Sequence, residues 1–369
     1  MNIEQAREYC LAKRGAGESF PFDGETLVFK VCGKIFAVLA LERPDRIVLK
    51  CHPDRTDVLR AAYGAVQAAH HFHKATWNQI LFDADADDGL ILALIDHAYG
   101  ETLRGLPKKQ QIAFFHDGLP PHIAHTHKNT CNSTMDDVRN CPPLSAGTSL
   151  SLLTTDLQHA GRGQRGNHWE SENGRNLLFS FTFVPPAAVK PAAQFLLSEV
   201  VSLALVDTLS PLLAELPREE QPCVKWPNDI YVGDRKLAGM LLQHTTLGDR
   251  IAETTVGIGL NVNQDVFRSD APNPTSLRLL LGYELPRYLL LEQFLAHFDA
   301  RLAALSSPDA LHADYLRHLY RREGLHPFRD ADGSFLASIA AVLPDGRLVL
   351  RRPDGTEHPY AFKEVEHET

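Results

Sequence analysis

A short stretch of glycines and arginines could bind an anion. Gly161, Gly163 and Gly166 leave no side chain to pack, and each costs backbone entropy in a helix or strand, so this stretch is typical of a loop. Backbone N–H groups of such a loop can approach a phosphate group closely. Arg162 and Arg165 add charges that do not titrate near neutral pH. Taken alone, the pattern is equally typical of a surface turn.

Two blocks of charged residues follow later in the chain. Lys225, Asn228 and Asp229 stand together in the first block, and Lys236 begins the second, Lys-Leu-Ala-Gly. Where two anions must meet in a reaction, a positioned cation that offsets their repulsion is worth about 3–4 kcal/mol. Asn228 and Asp229 supply oxygen atoms of the kind that Mg²⁺ binds. For Lys225 and Asp229 alone, an ordinary surface ion pair is the alternative.

Taken in order, these blocks resemble the catalytic domain of biotin protein ligases. The matching blocks are residues 158–171, 225–231, 234–241 and 257–263. Members of that family make biotinyl-5'-AMP from biotin and ATP, and then pass the biotin to a lysine of a carrier protein. The resemblance therefore implies ATP, biotin and Mg²⁺ as ligands. The partner it implies is a biotin carboxyl carrier protein domain of a biotin-dependent carboxylase or decarboxylase.

The resemblance assigns catalysis to Lys236, Arg162 and Asp229. Lys236 would lie between the biotin carboxylate and the phosphate. Arg162, with Gly161 and Gly163, would close over the adenylate and keep water away from it. Asp229 would accept a proton or hydrogen bond from the incoming lysine amine, which must be neutral to attack.

The resemblance also implies two sets of binding residues. Biotin would contact Ser133, Thr134, Gln158, Gly161, Arg162 and Lys236. The nucleotide would contact Gly163, Arg165, Trp169, Lys225, Asn228 and Asn261, with Trp169 stacked on the adenine, and Mg²⁺ would bind Asn228 and Asp229. Ser133 and Thr134, which precede two acidic residues, are also typical of a plain helix N-cap.

Two positions depart from the pattern of these ligases. Met135 stands where they usually carry asparagine, directly after Ser133 and Thr134. Gln164 stands where many of them carry arginine, so one phosphate-facing charge is missing from the loop. We expect the first change to alter the wall of the biotin site. The second would weaken the hold of the loop on the intermediate unless Arg165 replaces the missing charge.

A mixed sheet is needed to bring these blocks together. Strands are predicted at residues 149–158, 176–184 and 254–262, a hairpin at residues 224–243, and helices at residues 191–205 and 287–305. Residues 110–148 contain Pro-Pro and Gly breakers and are interpreted as a linker followed by a loop. The ligase family has a mixed sheet similar to that of class II aminoacyl-tRNA synthetases.

Residues 1–112 are predicted to form a separate α+β unit. The pattern indicates an opening amphipathic helix, strands at 26–31, 34–39 and 46–51, and helices at 54–68 and 89–106. Residues 20–22, 27–31, 49–51, 74–78 and 106–109 resemble the MmcQ/YjbR family, whose fold is similar to frataxin-type double-wing domains. Residues 1–110 carry 14 Lys and Arg against 15 Asp and Glu, whereas a DNA-binding module is usually strongly basic. We interpret this unit as an accessory module.

Residues 323–369 are predicted to form a small barrel. Strands at 335–341, 348–352 and 358–363 are separated by two Pro-Asp-Gly turns. This part resembles the SH3-like C-terminal domain of biotin ligases, and we interpret it as a structural barrel without chemistry of its own. The chain is thus predicted to be an α+β protein with domains at residues 1–112, 113–322 and 323–369.

Composition excludes several other classes of protein. The net charge of −9 and the pI near 6.0 argue against a nucleic-acid partner. No apolar run reaches the ~20 residues of a membrane helix, and the acidic N-terminus does not resemble a signal peptide, so we expect a cytoplasmic protein. The six cysteines include no Cys-x-x-Cys pair, which argues against zinc. Neighbouring histidines at residues 70–73 point to different sides and rarely share one metal.

Two other functions stay open beside a biotin ligase. The first is a bifunctional ligase and transcription regulator whose first unit binds DNA, and the near-neutral charge of that unit argues against it. The second is lipoate or octanoate transfer on the related fold, which is disfavoured because the blocks follow the biotin pattern. The sequence also leaves a homodimer open.

Overall fold

The computed structural model describes residues 1–163, 168–186, 189–269 and 273–368. Its helices are α1 (Ile3–Leu11), α2 (Pro53–Ala62), α3 (Asp88–Arg104), α4 (Lys108–Gly118), α5 (Thr134–Asp137), α6 (Phe195–Leu209), α7 (Leu277–Leu281), α8 (Arg287–Ala303) and α9 (Pro308–Arg317). Its strands are β1 (Ala16–Ser19), β2 (Thr26–Val31), β3 (Lys34–Ala40), β4 (Arg46–Lys50), β5 (Val66–Ala68), β6 (Trp77–Leu81), β7 (Ile123–Cys131), β8 (Leu150–Gln158), β9 (Leu177–Phe183), β10 (Pro222–Lys225), β11 (Asp229–Val232), β12 (Arg235–Leu247), β13 (Arg250–Leu260), β14 (His326–Asp330), β15 (Gly333–Val342), β16 (Leu348–Arg351), β17 (Glu357–Tyr360) and β18 (Glu366–His367). The predicted mixed α+β class is confirmed.

The chain folds into two compact units. The first comprises Met1–Gly118 and Leu277–Leu289, and the second comprises Leu119–Ser276 and Leu290–Thr369. The first unit thus takes a segment from much later in the chain, which the sequence did not indicate. The domain boundaries proposed from the sequence stay a prediction.

The first unit is built on an antiparallel sheet with the strand order β1-β2-β3-β4-β6-β5. Helix α3 packs against β3 and β4, and its buried residues Ile91, Ile95 and Ala98 recur at helical spacing. Asp87 caps the helix, because its side chain accepts a hydrogen bond from the backbone N–H of Leu90 at 2.7 Å. The apolar face of α3 and the sheet form the core of this unit.

Strands predicted at residues 26–31, 34–39 and 46–51 correspond to β2, β3 and β4. The helix predicted over residues 54–68 is wrong in its second half, because α2 ends at Ala62 and the chain turns back as β5. There Val66 pairs with Ile80 of β6. Strand pairing thus overrides the local helical pattern beyond Gly64. The predicted cap is also different, since the side chain of His52 and not Asp54 caps α2.

The later segment Leu277–Leu289 packs against the first unit through charged and aromatic contacts. Glu284 accepts hydrogen bonds from Arg104 at 2.7 Å and from Arg278 at 2.6 Å. Arg104 also binds Glu101 at 2.8 Å, so one guanidinium joins α3 to the segment. The rings of Phe115 and Tyr288 lie 5.2 Å apart. These contacts make the segment a part of the first unit.

The second unit contains a seven-stranded sheet with the order β10-β11-β12-β13-β9-β8-β7. Only β7 and β8 pair in parallel within it. β7 lies where a linker and loop were predicted, and this prediction is wrong because β7 is an edge strand with mostly half-buried polar residues. One strand was predicted across residues 224–232, but the structure has two, because β10 ends at Lys225 and β11 begins at Asp229. The two strands pair antiparallel, with Lys225 opposite Asp229.

Helix α6 forms part of the core of the second unit. Together with the turn before it, at Pro191–Leu209, it is long and apolar enough to cross a membrane by length and composition. An apolar segment of this length was not predicted from the sequence. Most of this segment is buried inside the protein, where α6 packs against α9 and β10, as expected of a core helix.

A second sheet of this unit has the order β17-β16-β15-β14-β18. The two predicted turns lie between β15 and β16 and between β16 and β17, whereas β14 and β18 were not predicted. The indole N–H of Trp226 donates to the carbonyl of Gly346 at 2.8 Å. This bond ties the β15–β16 turn to the loop between β10 and β11.

Replacement of Arg104 by alanine tests the packing of the later segment. Arg104→Ala leaves the buried carboxylate of Glu101 without its partner and removes one of the two arginines that bind Glu284. We expect the free energy of unfolding of the full chain to fall by about 3 kcal/mol. Thermal or urea unfolding measures this change. The exposed Arg43→Ala variant is the control, and equal unfolding curves for the two variants would contradict the prediction.

Candidate active site

A cavity of about 770 Å³ lies in the second unit and brings together most of the predicted site residues. The predicted residues in its wall are Ser133, Thr134, Gln158, Arg162, Gly163, Trp169, Lys225, Asn228, Asp229, Lys236 and Asn261. Gly161 is not part of the wall, but its carbonyl accepts the backbone N–H of Trp169 at 3.0 Å. Arg165 and Gln164 lie outside the described residues.

One wall of the cavity is a hydrogen-bonded polar cluster. The Gln158 side-chain oxygen accepts from the backbone N–H of Thr134 at 2.7 Å and from its hydroxyl at 3.0 Å. Ser180 in turn donates to the Thr134 hydroxyl at 2.8 Å. Ser133 precedes α5 at the N-cap position but makes no capping bond, and its buried hydroxyl has no partner among the described residues. A buried hydroxyl left unpaired costs about 1–3 kcal/mol, so a ligand that supplies a partner is favoured here.

Met135 closes this wall beside the polar cluster. Its side chain is buried and lies over Gly257 of β13, where an added Cβ would come within 2.6 Å of both Met135 Cγ and Sδ. A side chain at residue 257 would therefore displace Met135. The departure from asparagine thus places an apolar, adaptable thioether in the wall of the cavity.

Lys236 and Asp229 form an ion pair in the cavity. The Lys236 ammonium lies 2.7 Å from Oδ2 of Asp229, and both side chains are half-buried. The backbone of Lys236 is bound on both sides, since its N–H donates to the Asn273 carbonyl and its own carbonyl accepts from Thr275. The other carboxylate oxygen of Asp229 is buried and has no hydrogen-bond partner in the described structure. This oxygen thus keeps its capacity to accept a hydrogen bond.

The indole of Trp169 packs against the face of the sheet at two paired glycines, which have no side chains there. Gly239 of β12 and Gly259 of β13 are directly opposite each other. An added Cβ would come within 2.9 Å of the indole at Gly239 and within 2.4 Å at Gly259, so only glycine leaves room for this ring. The Lys236 ammonium lies 5.7 Å from the ring centre. The indole therefore forms a flat floor beside the ion pair.

Lys225 lies among aromatic side chains at the same cavity. Its ammonium donates to the Tyr231 hydroxyl at 3.2 Å and lies 4.5 Å from the centre of that ring. The ring of Tyr320 is 5.7 Å away. Burial lowers the pKa of Lys225 from its usual value, with the nearby Asp229 acting in the opposite direction. Lys225 is thus a desolvated cation, whose attraction for an anion is stronger than that of a surface lysine.

Arg162 lines the cavity and forms an ion pair with Asp136. Its guanidinium lies 2.8 Å from Asp136, in the first turn of α5, and both side chains are largely exposed. An exposed pair of this kind contributes at most about 1 kcal/mol. The pair can therefore open without a large loss of stability when a ligand needs the arginine.

Asn228 and Asn261 both have structural partners. The Asn228 amide donates to the Met240 carbonyl at 2.7 Å, and the Asn261 amide donates to the Thr275 carbonyl at 2.9 Å. Among the described residues, no three His, Cys, Asp or Glu side chains converge as a metal site would need. The unpaired oxygen of Asp229 fits a single protein ligand to Mg²⁺ held mainly by phosphates, which is the usual way nucleotide enzymes bind it.

The part of the wall that comes from the second sheet of this unit, and from the loop between β17 and β18, was not predicted from the sequence. These residues are Phe328, Leu348, Phe362, Val365, Glu366 and His367. Their sequence shows only regular turn spacing, which predicts strands but not which residues reach a distant cavity. The interpretation of this sheet as structural only therefore overlooked its place beside the site.

Two family models match the chain. Residues 11–101 match YjbR, and residues 129–261 match the biotin/lipoate A/B protein ligase family. Uncharacterized protein YjbR of Escherichia coli K12 is 30% identical over 112 residues, which are 30% of this chain and 95% of that protein.

Two curated ligases are similar to part of the chain. Bifunctional ligase/repressor BirA of Salmonella typhimurium is 32% identical over 181 residues, which are 49% of this chain and 50% of that protein. Biotin--[acetyl-CoA-carboxylase] ligase of Paracoccus denitrificans is 37% identical over 131 residues, or 36% of this chain and 51% of that protein. This chain thus spans about half the length of these two ligases.

A solved structure shares the fold of a large part of the chain. Biotin protein ligase from Aquifex aeolicus, in complex with biotin and ATP, superposes with a TM-score of 0.54 over 66% of this chain and 99% of that chain. The sequence identity is 22%, so this likeness shows the fold. The resemblances to both families are confirmed. The chain belongs to the YjbR family over its N-terminal part, matches the biotin/lipoate A/B protein ligase family model over residues 129–261, and shares the fold of a biotin protein ligase.

Proposed function

We propose that the protein is a biotin protein ligase. It would make biotinyl-5'-AMP from biotin and ATP, and would then transfer the biotin to a lysine of a biotin carboxyl carrier protein. The observation that carries the proposal is the Lys236–Asp229 pair, at 2.7 Å, in one cavity with the polar wall of Ser133, Thr134 and Gln158. A cation, a carboxylate and a polar wall are what the two steps require.

The polar wall suits the ureido ring of biotin. That ring carries N–H donors and a carbonyl acceptor, and Ser133 offers a buried hydroxyl without a described partner. Thr134 and Gln158 are fixed by their mutual hydrogen bonds, so they meet a ligand already oriented. Such preorganisation reduces the entropy lost on binding.

The first step joins biotin to AMP. A carboxylate oxygen of biotin attacks the α-phosphorus of ATP, the bond between the α-phosphate and pyrophosphate breaks, and pyrophosphate leaves. Lys236 would exchange Asp229 for the two reacting anions and offset their repulsion. Arg162 and Gly163, which line the cavity, would cover the adenylate and exclude water.

The second step transfers biotin to the carrier. The neutral amine of the carrier lysine attacks the acyl carbon, a C–N bond forms, and the bond from that carbon to the AMP oxygen breaks. The unpaired oxygen of Asp229 would take the proton that the amine loses.

The remaining predicted residues would bind the nucleotide. Trp169 would stack on the adenine, and Lys225 would meet the phosphates together with Arg165 of the loop. Asn228 and Asn261 line the cavity but hold backbone carbonyls through their amides, so we propose that they shape the nucleotide site. Mg²⁺, when bound, would neutralise phosphate charge, with Asp229 as its protein ligand.

Finer features of the fold are part of the proposal. We infer a double-wing fold for residues 1–112, a sheet similar to class II aminoacyl-tRNA synthetases for residues 113–322, and an SH3-like barrel for residues 323–369. The name of the Paracoccus ligase supports a carboxylase carrier domain as partner. We also propose a cytoplasmic protein.

Incubation of the full chain with ATP and either biotin or lipoate tests the proposed reaction. We expect mass spectrometry to detect biotinyl-AMP and, after a carrier domain is added, one biotinyl group on that domain. Formation of lipoyl-AMP in place of biotinyl-AMP would contradict the proposal.

Lys236→Ala tests the role of the ammonium. We expect the rate of adenylate formation to fall by about 10²–10³-fold, because a donor aimed at developing charge is lost. The variant should fold, since Lys236 is half-buried and does not belong to the core. Lys190→Ala, which removes an exposed lysine paired with Asp249, is the control. Equal rates in the two variants would remove Lys236 from the mechanism.

Arg162→Gly tests the closing loop. We expect free biotinyl-AMP to leave the enzyme about tenfold faster, the effect of one lost hydrogen bond to a charged group. Adenylate release is measured by rapid filtration after single-turnover loading. Asp136→Asn is the matched variant, because it removes the partner of Arg162 but keeps the arginine. Equal leakage from both would mean that the pair, and not the arginine, retains the intermediate.

Gly259→Ala tests whether Trp169 must pack against glycine to bind the nucleotide. The added methyl group would lie 2.4 Å from the indole, so the ring must move. We expect ATP to bind about two- to tenfold more weakly, as lost aromatic stacking predicts. Calorimetric titration measures this affinity. Gly147→Ala, where nothing lies within 4 Å of an added Cβ, is the control, and an equal affinity in both variants would argue against stacking on Trp169.

A further inference from the structure

His367 is held in one orientation beside the cavity. It lies on β18, opposite Phe328 of β14. Its ring lies 4.5 Å from the Phe328 ring and meets the Tyr320 ring edge-on at 5.3 Å. Aromatic contacts on two sides fix the plane of the imidazole. His367 also lines the cavity that contains Lys225 and Lys236.

The backbone around His367 is fixed as well. Arg321 donates to the carbonyl of Glu368 at 2.7 Å, and the N–H of Glu368 donates to the Pro327 carbonyl at 3.1 Å. Arg321 itself has a φ of 51°, in the left-handed region that residues other than glycine rarely occupy. The fold therefore keeps a strained residue in place at the contact that positions β18.

The imidazole of His367 is polar but unpaired. Both ring nitrogens are buried, and neither has a hydrogen-bond partner among the described residues. Buried polar groups in native proteins nearly always have partners, because an unpaired one is costly. A side chain that is held between two aromatic rings at the wall of a cavity, and yet has no described hydrogen-bond partner, can receive one from a ligand.

The charges around His367 indicate which ligand this is. Burial, followed by the positive charges of Lys225 and Arg321, lowers the pKa of His367 to about 3. The ring is therefore neutral at physiological pH, with one nitrogen that donates and one that accepts a hydrogen bond. Neighbouring cations attract an anion and repel an incoming ammonium group. A phosphate oxygen fits both the donor and the charges.

We propose that His367 donates a hydrogen bond to the phosphate chain of the bound nucleotide, beside the charge supplied by Lys225. The inference rests on the proposed function, since it takes ATP as the ligand of this cavity. It assigns a binding contact to the sheet that the sequence analysis had interpreted as structural only. His367 would be a binding residue and not an acid or base, because its ring stays neutral.

His367→Phe in the full chain tests this contact. The variant keeps a flat ring between Phe328 and Tyr320 and removes both nitrogens. We expect the affinity for ATP to fall about tenfold, with the affinity for adenosine and the KM for biotin unchanged. His367→Gln, which keeps an N–H donor, should recover part of the affinity. His358→Phe makes the same substitution at an exposed position of β17 and should leave ATP binding unchanged.

Calorimetric titrations with ATP and with adenosine, together with the KM values for ATP and biotin, separate the outcomes. Unchanged ATP affinity in His367→Phe, or equal losses for ATP and adenosine, would overturn the contact. A raised KM for the carrier domain with intact ATP binding would assign His367 to the incoming lysine instead and would also overturn it. Wild-type protein that binds ATP but does not activate biotin would refute the ligase function, and the titrations would still decide the role of His367.

Discussion

The ion pair between Lys236 and Asp229 is the interaction on which the candidate site depends. Both residues are carried by adjacent strands, β11 and β12, so the hydrogen bonds of the sheet set their separation. The pair keeps a cation and a carboxylate together in a half-buried cavity, where each offsets the desolvation cost of the other. A pair of this kind can be exchanged for ligand charges without moving the backbone. The proposed steps use the two halves in turn, first the ammonium and then the carboxylate.

Two supports hold this pair in place, and neither carries charge. Gly239 and Gly259 clear the face of the sheet so that Trp169 can lie beside Lys236. On the other side, the backbone of Lys236 is bound by residues 273 and 275, which fix the start of β12. The shape of the cavity thus depends on glycines, which leave room for Trp169, and on backbone hydrogen bonds. Several polar side chains that line it have buried atoms without a described hydrogen-bond partner.

The sequence predicted which of its blocks meet at the cavity better than it predicted their surroundings. Gln158, Asp229 and Lys236 stand in short local blocks, so their proximity follows once the strands are placed. Met135 over Gly257 and His367 beside the cavity depend on contacts between residues far apart in the chain, which no local pattern encodes. Strand β7 was missed for a different reason, because an edge strand with polar residues on both faces lacks the alternation that identifies a strand. Helices α3 and α8, by contrast, were predicted close to their observed bounds.

The YjbR-like part is a discontinuous domain, and this limits how the chain can be dissected. A cut near residue 112 follows the similarity to known families, but it separates Glu284 from Arg104 and divides α4. The excised C-terminal part would then expose residues 277–289, a partly apolar stretch that has lost the partners it has in the first unit. Loss of activity after such an excision could result from unfolding of this stretch, even if the YjbR-like part has no role in catalysis. Point substitutions in the intact chain are therefore the sounder route to the purpose of the fusion.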